Sequence, residues 1–339
     1  MVVAEWGGRG LSAPSQQLVT TIQNGNPAVV IVATNLPDRF WGYFARSQNR
    51  SQVSLASDTE ESTDAPLLFT QITTAQALLS QAGAEASWEG EPTFQTLNDL
   101  DFDITASFES RPRSAPNTVG ILEGSDPILK DEYIVLSAHM DHVGVGTPVD
   151  GDSIMNGADD NASGTAAIIE AAEAFAMMNP RPKRSMIFLA VSGEEKGLWG
   201  SAYYADHPSV PISQIVADVN TDMIGRNWSD TIVAIGKEYS DLGETLDRVN
   251  AEHPELNMAA IDDIWPDERF YYRSDHYNFA EKGVPVLFFF NGTHEDYHGV
   301  NDEIEKVDTE KATRIVKLMF YLSLEIANSP EKPKWKQTG

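Results

Sequence analysis

The chain has 339 residues, of which 51 are acidic and 24 are basic, so its formal net charge is −27. A surface of this kind repels nucleic acid and anionic membranes, and we expect neither as a partner. The sequence has no cysteine, which excludes disulfides, a thiolate nucleophile and zinc–thiolate sites. No apolar run approaches the roughly 20 residues that span a bilayer, so we expect no membrane insertion.

The length predicts one large domain and a smaller one, and the pattern changes between them. We place the smaller domain at residues 1–90 and the larger at 91–339. The first region alternates helical and strand patterns, which predicts a small α+β domain. Its predicted elements are a helix at 14–25, a strand at 28–34, a strand at 66–72 and a helix at 73–83.

From about residue 100, apolar strands alternate with amphipathic helices. The predicted strands are 117–124, 133–141, 185–193, 215–223, 231–236 and 284–290. The predicted helices are 162–178, 197–207, 274–283 and 308–328. Strands that are apolar along their whole length belong to parallel sheets buried on both faces. The sequence therefore predicts an α/β fold with a mostly parallel central sheet and helices on both faces.

Histidines and carboxylates collect where these predicted strands end. In open α/β sheets, sites form beyond the carboxyl ends of the strands. Titratable residues that fall at such ends or in the loops and helix starts after them are His139, Asp141, Asp159, Asp160, Glu194, Glu195, Asp222 and His298. We therefore expect a site at this edge of the sheet.

The residue types favour a metal site. Two histidines and several carboxylates without cysteine suit zinc or a similar divalent ion. Two ions about 3.5 to 4 Å apart need a shared carboxylate and about two further ligands each. The sequence supplies that number as His139, Asp160, Glu195, Asp222 and His298. Asp141, two residues after His139, is placed to accept the ring N–H and orient the imidazole.

The stretch FLAVSGEEKG places Glu194 and Glu195 side by side. Successive side chains on an extended strand point to opposite faces, so these two are not expected to share a role. One can bind metal while the other takes a proton from a water molecule. A cation beside them would offset their mutual repulsion.

Other readings of these residues are structural. Asp159 and Asp160 precede a predicted helix, where capping acids are common, and capping or support of the site is our expectation for Asp159. Four further histidines show no partner pattern and are expected at the surface or in structural contacts: His142, His207, His253 and His294.

Six motifs in order resemble those of the two-zinc exopeptidase superfamily, which includes bacterial leucine-type aminopeptidases and glutamate carboxypeptidases. They lie within about residues 115–325 and read SAHMDH, NGADDNASG, VSGEEKGLWGS, NTDMIG, RSDHYNFAEKGVP and DYHGVNDEIEKVD. The N-terminal region, residues 1–90, resembles more loosely the protease-associated domain found in such enzymes. Because relatives usually carry more chain before that domain, we expect it to be truncated at its start.

The resemblance implies the zinc exopeptidase fold and two Zn²⁺ ions per chain. It assigns His139 and Asp222 to one zinc, and Glu195 and His298 to the other. It implies that Asp160 bridges the two ions.

The resemblance also assigns supporting and catalytic roles. Asp141 matches the partner that orients His139, and Glu194 matches the general base. No metal position is substituted in this sequence.

The expected function is hydrolysis of a terminal peptide bond by metal-activated water, acting on peptides with a free terminus. We favour an aminopeptidase because an acidic pocket entrance attracts the free amine of a substrate. Arg226 or Arg273 could enter the pocket and bind a C-terminal carboxylate instead. The alternatives are a glutamate-carboxypeptidase-like dipeptidase and, more remotely, a metal-free binding protein on the same fold. The first residues show no signal-peptide pattern, and the resemblance alone leads us to expect a periplasmic or extracellular location.

Overall fold

The structure is a computed structural model. It describes residues 111–336 without interruption, and residues 2–4, 11–25, 27–37, 40–42, 44–45, 55, 65–81 and 83 of the preceding part. The chain divides into two compact units, Met1–Arg113 and Ser114–Gly339. The predicted domain boundary at residue 90 lies outside the described residues and stays a prediction.

The first unit contains a three-stranded parallel sheet. The elements of this unit are β1 (Val2–Ala4), helix α1 (Ala13–Gln23), β2 (Val30–Thr34), β3 (Leu67–Gln71) and helix α2 (Ile72–Gln81). The strands pair in the order β1–β2–β3, so the central strand is β2. Val19 of α1 packs with Val30 and Val32 of β2 in a small apolar cluster.

The second unit is built on a seven-stranded sheet. Its strands are β4 (Thr118–Leu122), β5 (Tyr133–His139), β8 (Ser185–Val191), β9 (Ile215–Asp222), β10 (Thr231–Ile235), β11 (Ala259–Ile261) and β12 (Val286–Phe290). They lie in the order β11–β10–β12–β9–β5–β8–β4. The four central strands β12, β9, β5 and β8 are mutually parallel, whereas β10 and β4 each pair antiparallel with a neighbour. A separate hairpin of β6 (Gly144–Val149) and β7 (Asp152–Met155) was not predicted.

Helices cover both faces of this sheet. Alternate residues of β5 belong to different apolar clusters, Ile134 and Leu136 to one and Val135 to the other. The helices are α3 (Gly164–Ala176), α4 (Trp199–Asp206), α5 (Leu242–Glu252), α6 (His276–Glu281) and α7 (Thr309–Asn328). Residues of α3, α5 and α7 pack in the first cluster, and residues of α4 and α6 in the second. The predicted α/β fold with a mostly parallel, doubly covered sheet is confirmed.

No described helix combines the length and the apolar character needed to cross a membrane.

Candidate metal centre

Parallel neighbours bring distant residues to one edge of the sheet. His139 ends β5, Asp222 ends β9, and the turn after β8 carries Glu194 and Glu195. Because β5 lies between β8 and β9, all four residues reach the carboxyl edge of neighbouring parallel strands.

The loop before α3 brings Asp160 to this edge. It occupies the irregular turn Ala158–Ser163 that leads into the helix. Gly164, the first residue of α3, lies so close to β9 that a Cβ atom there would be 2.4 Å from the carbonyl oxygen of Thr221. Glycine at this position therefore lets the start of the helix, and Asp160 with it, approach the strand that ends in Asp222.

Asp160 lies between two groups of possible ligands. Its Oδ1 is 3.3 Å from His139 Nε2, which is also 3.3 Å from Asp222 Oδ1. Its Oδ2 is 3.2 Å from His298 Nε2, which is 3.1 Å from Glu195 Oε2. The five predicted metal ligands therefore meet in one cluster, with Asp160 shared between a His139–Asp222 group and a Glu195–His298 group.

These residues fit divalent cations in spacing and in donor chemistry. Zinc bonds of about 2.0 to 2.2 Å in a tetrahedron place neighbouring ligand atoms roughly 3.3 to 3.6 Å apart, close to the distances found here. His139 Nε2, Asp222 Oδ1 and Glu195 Oε1 are buried and have no hydrogen-bond partner in the described part of the chain. Buried polar atoms are rarely left unpaired, so their convergence is the signature expected of a cation site.

Charge leads to the same conclusion. Burial raises the pKa of Asp222. Burial, reinforced by Asp222, also raises the pKa of Glu194 to about 9. Both carboxylates are therefore costly to ionise without a nearby positive charge, which a bound cation supplies.

Glu194 and Glu195 do have different surroundings, but the extended-strand reason given for this was wrong. Both belong to the single helical turn Glu194–Lys196, which starts after Gly193 at φ 80°. The turn directs Glu195 between two imidazoles, and these overcome the effect of burial and lower its pKa to about 2. Glu194 instead lines an open cavity together with Asp160 and Asp222.

Asp141 contacts His139 differently from the expected carboxylate–imidazole bond. His139 Nδ1 donates to the backbone oxygen of Asp141 over 3.0 Å, whereas the carboxylate Oδ1 is 4.0 Å away. That carboxylate oxygen accepts the backbone N–H of Glu194 at 3.1 Å. With Nδ1 bound to a carbonyl, the Nε2 lone pair of His139 is left to face Asp160 and Asp222.

Asp159 points away from the His139 and His298 imidazoles. Its Oδ1 accepts the N–H of Gly225 at 2.6 Å, and its Oδ2 is 3.4 Å from His294 Nε2. His294 was expected at the surface or in a structural contact, and it makes this buried contact beside the site.

His142 is the residue that the sequence reasoning placed elsewhere. Its Nδ1 lies 2.9 Å from Glu195 Oε1 and 3.8 Å from Asp160 Oδ2. The only sequence signal was its position three residues after His139 in SAHMDH. Because the segment after β5 is irregular, no periodicity indicated where its side chain points.

A cavity opens at the cluster, with about 350 Å³ of space between its walls, part of it continuous with the solvent. Its acidic side is formed by Asp160, Glu194 and Asp222, and its apolar side by Met223, Phe270, Phe288 and Phe290. Arg273, Thr293 and Tyr297 complete the lining. Arg273 also lies over the Phe270 ring, 4.7 Å from its centroid.

A peptidase is the class of protein that this sheet, cluster and cavity suggest, and comparison with known families agrees. Residues 117–323 match peptidase family M28, and the chain belongs to that family. The matched range contains all the predicted site residues, and it confirms the resemblance read from the motifs.

Two curated relatives illustrate the similarity. Aminopeptidase YwaD of Bacillus subtilis is 30% identical over 233 residues, which cover 66% of this chain and 47% of the relative. A probable zinc metalloprotease of Leptosphaeria maculans is 27% identical over 262 residues, which cover 66% of this chain and 60% of the relative. The chain spans about half the length of the curated relatives that it matches.

Solved structures share the fold. The LapA aminopeptidase of Legionella pneumophila is 27% identical with a TM-score of 0.51, over 64% of this chain and 56% of that one. An aminopeptidase from Aneurinibacillus sp. strain AM-1 has a TM-score of 0.55. The match covers 97% of this chain and 70% of the aminopeptidase chain. At 17% identity, the second likeness concerns the fold alone.

Proposed function

We propose that the chain is a zinc-dependent aminopeptidase, which removes the N-terminal residue from peptides with a free terminus. The observation that carries the proposal is the position of Asp160 between two histidine–carboxylate groups at the rim of a cavity. Membership in peptidase family M28 and similarity to aminopeptidases and zinc metalloproteases support the same reaction.

The cofactor would be two Zn²⁺ ions. His139 and Asp222 would hold one, Glu195 and His298 the other, and Asp160 both. When bound, zinc polarises a substrate carbonyl and lowers the pKa of water toward about 7.

Glu194 is the residue that we assign to proton transfer. It lines the cavity beside Asp160 and Asp222, and its backbone N–H is tied to Asp141. From there its carboxylate would accept a proton from the attacking water and pass it to the amine that leaves.

The cavity suits an N-terminal residue with an apolar side chain. The carboxylates on one side would attract the α-ammonium group of the peptide. The apolar side, formed by Met223, Phe270, Phe288 and Phe290, would receive the side chain.

One observation favours the second candidate, a glutamate-carboxypeptidase-like dipeptidase. Arg273 lines the cavity and would pair with a substrate carboxylate. Arg226 does not line it and instead pairs with Asp296 at 3.0 Å.

A substrate panel with metal analysis tests the proposal. Zinc content is measured by mass spectrometry, and hydrolysis of leucyl, phenylalanyl and glutamyl amides is compared with that of N-blocked dipeptides ending in glutamate. We expect chelation to abolish cleavage of the apolar amides, zinc to restore it, and N-acetylation to block it. Preference for the C-terminal glutamate substrates would support the dipeptidase, and absence of zinc would favour a binding protein.

Two proposals rest on the resemblance and not on the site. Residues 1–90 form a protease-associated-like domain, and the protein acts outside the cytoplasm. Cell fractionation with antibody detection tests the second.

A further inference from the structure

We propose that His142 is a fourth protein ligand at the Glu195–His298 position, which is thereby closed by protein. The His139–Asp222 position keeps the open coordination site. The inference rests on the proposed function to the extent that both require bound metal.

His142 lies beside the same two carboxylates as His298. His142 Nδ1 lies 2.9 Å from the Glu195 carboxylate and 3.8 Å from the Asp160 carboxylate. His298 Nε2 lies 3.1 and 3.2 Å from the same two groups. The imidazoles of His142 and His298 thus flank one pair of carboxylates, with ring centroids 5.7 Å apart and planes at 73°.

Two imidazole nitrogens and two carboxylates are a donor set that suits zinc. The four distances between neighbouring ligand atoms bracket the roughly 3.3 to 3.6 Å expected around a tetrahedral ion.

Within the described residues, His142 has no partner outside this cluster. Its side chain is only 10% exposed, and apart from the approach of Nδ1 to Glu195 neither ring nitrogen contacts a hydrogen-bonding group there. Glu195 Oε1 is likewise buried and unpaired, although it is the atom nearest to His142 Nδ1. Leaving such atoms unpaired in a protein interior costs free energy, and a cation between them would satisfy both.

The consequence is a difference between the two positions. With His142, the Glu195–His298 position has four protein ligands, the number typical of closed zinc sites. The His139–Asp222 position has three, counting the shared Asp160, as in sites that keep a place for water or substrate. The open place then lies on the side of the cluster where Glu194 lines the cavity.

A rival role for His142 is to orient Glu195 by a hydrogen bond without touching the metal. His142→Gln separates the two roles, because the glutamine amide still donates to a carboxylate but is a poor zinc ligand. His142→Ala removes both. His207→Gln is the matched control, since His207 is exposed and, among the described residues, its ring contacts the Tyr203 ring and backbone oxygen alone.

The experiment is a zinc titration of the metal-free full chain against a competing chromophoric chelator. We expect two equivalents for the wild type and His207→Gln. Both His142 variants should bind one equivalent of zinc with wild-type affinity. They should bind the other equivalent more than about 100-fold more weakly, because loss of a residue that only orients a ligand weakens binding by at most about that factor. With Co²⁺ in place of zinc, both His142 variants should lose the part of the visible absorption that the Glu195–His298 position contributes.

Circular dichroism of the metal-free variants checks that they fold. The proposal is overturned if His142→Gln retains both affinities, whether or not His142→Ala does. Failure of the wild type to bind any zinc would overturn it together with the proposed function. Two bound zinc ions without peptidase activity would instead contradict only the proposed function, and the His142 comparison would stand.

Discussion

Asp302 Oδ2 accepts the backbone N–H of Asp160 at 3.0 Å across a sequence separation of 142 residues. Both oxygens of the same carboxylate also accept the N–H of Asp159, at 3.0 and 3.1 Å. Asp302 is fully buried and follows His298 by four residues. One side chain thus ties the loop that carries the shared carboxylate to the segment that carries a histidine of the cluster.

We predict that Asp302→Asn weakens zinc binding by about 10- to 100-fold, the cost typical of losing an outer partner of a ligand. Asparagine replaces one accepting oxygen with an NH₂ group that opposes the backbone N–H groups. Calorimetric zinc titration measures the loss. Glu303→Gln is the control, because Glu303 is half-buried and its carboxylate accepts only from the Asn156 side chain among the described contacts. Wild-type affinity in folded Asp302→Asn would contradict this role.

Glu194→Gln should keep both zinc ions and lower kcat by at least about 100-fold, because it removes the proton acceptor and leaves the proposed ligands intact. Glu194 also lies within ligand distance of His139 and Asp222, so zinc content must be measured along with turnover. Glu195→Gln is the contrasting variant and should lose zinc. Loss of zinc from Glu194→Gln would make Glu194 a ligand, and near-normal turnover would remove it from the mechanism.

Arg184 is a buried cation that joins both ends of the second unit. Its Nε donates to Glu132 at 2.8 Å, and its Nη1 donates to the backbone oxygens of Ile326 and Ser329. Arg184→Ala leaves these acceptors without their donor and should lower the free energy of unfolding by about 3 to 5 kcal/mol.

Urea unfolding measures the effect of Arg184→Ala. Arg181→Ala, at an exposed position, should change stability by less than about 0.5 kcal/mol. Equal stabilities of the two variants would contradict the structural role of Arg184.

The contribution of Lys311 to the free energy of unfolding depends on pH. It is fully buried at the start of α7, and burial lowers its pKa to about 8, although Asp159 and Asp308 oppose the shift. The folded pKa is below the unfolded value of 10.5, so the cost of burying the ammonium is complete below pH 8. It is relieved as the pH rises from 8 to 10.5.

The stability of Lys311→Met relative to the wild type should therefore fall across this range, by on the order of 3 kcal/mol. Chemical unfolding at several pH values measures the difference. Lys317→Met, on the exposed side of the same helix, should show no such slope. If the difference in the free energy of unfolding between Lys311→Met and the wild type did not change with pH, the lowered pKa of Lys311 would be contradicted.

Much of the second unit was readable from local pattern. The predicted strand 215–223 is observed as Ile215–Asp222, and the predicted helix 308–328 as Thr309–Asn328. Both patterns depend on which residues must be buried on one face or on both, and this is a property of neighbouring positions. The hairpin of β6 and β7 was missed because its strands are mostly exposed and carry no apolar alternation.

The site divides in the same way. The sequence by itself determined the segments and their polarity, and so placed His139, Glu195 and Asp222 at carboxyl ends of strands. Only the tertiary structure decided that β5 lies between β8 and β9, and that His142 turns toward Glu195 instead of solvent. Strand order and the direction of a side chain in an irregular loop depend on contacts between residues far apart in the chain. No local pattern records such contacts, because their free energy arises only when the whole sheet has assembled.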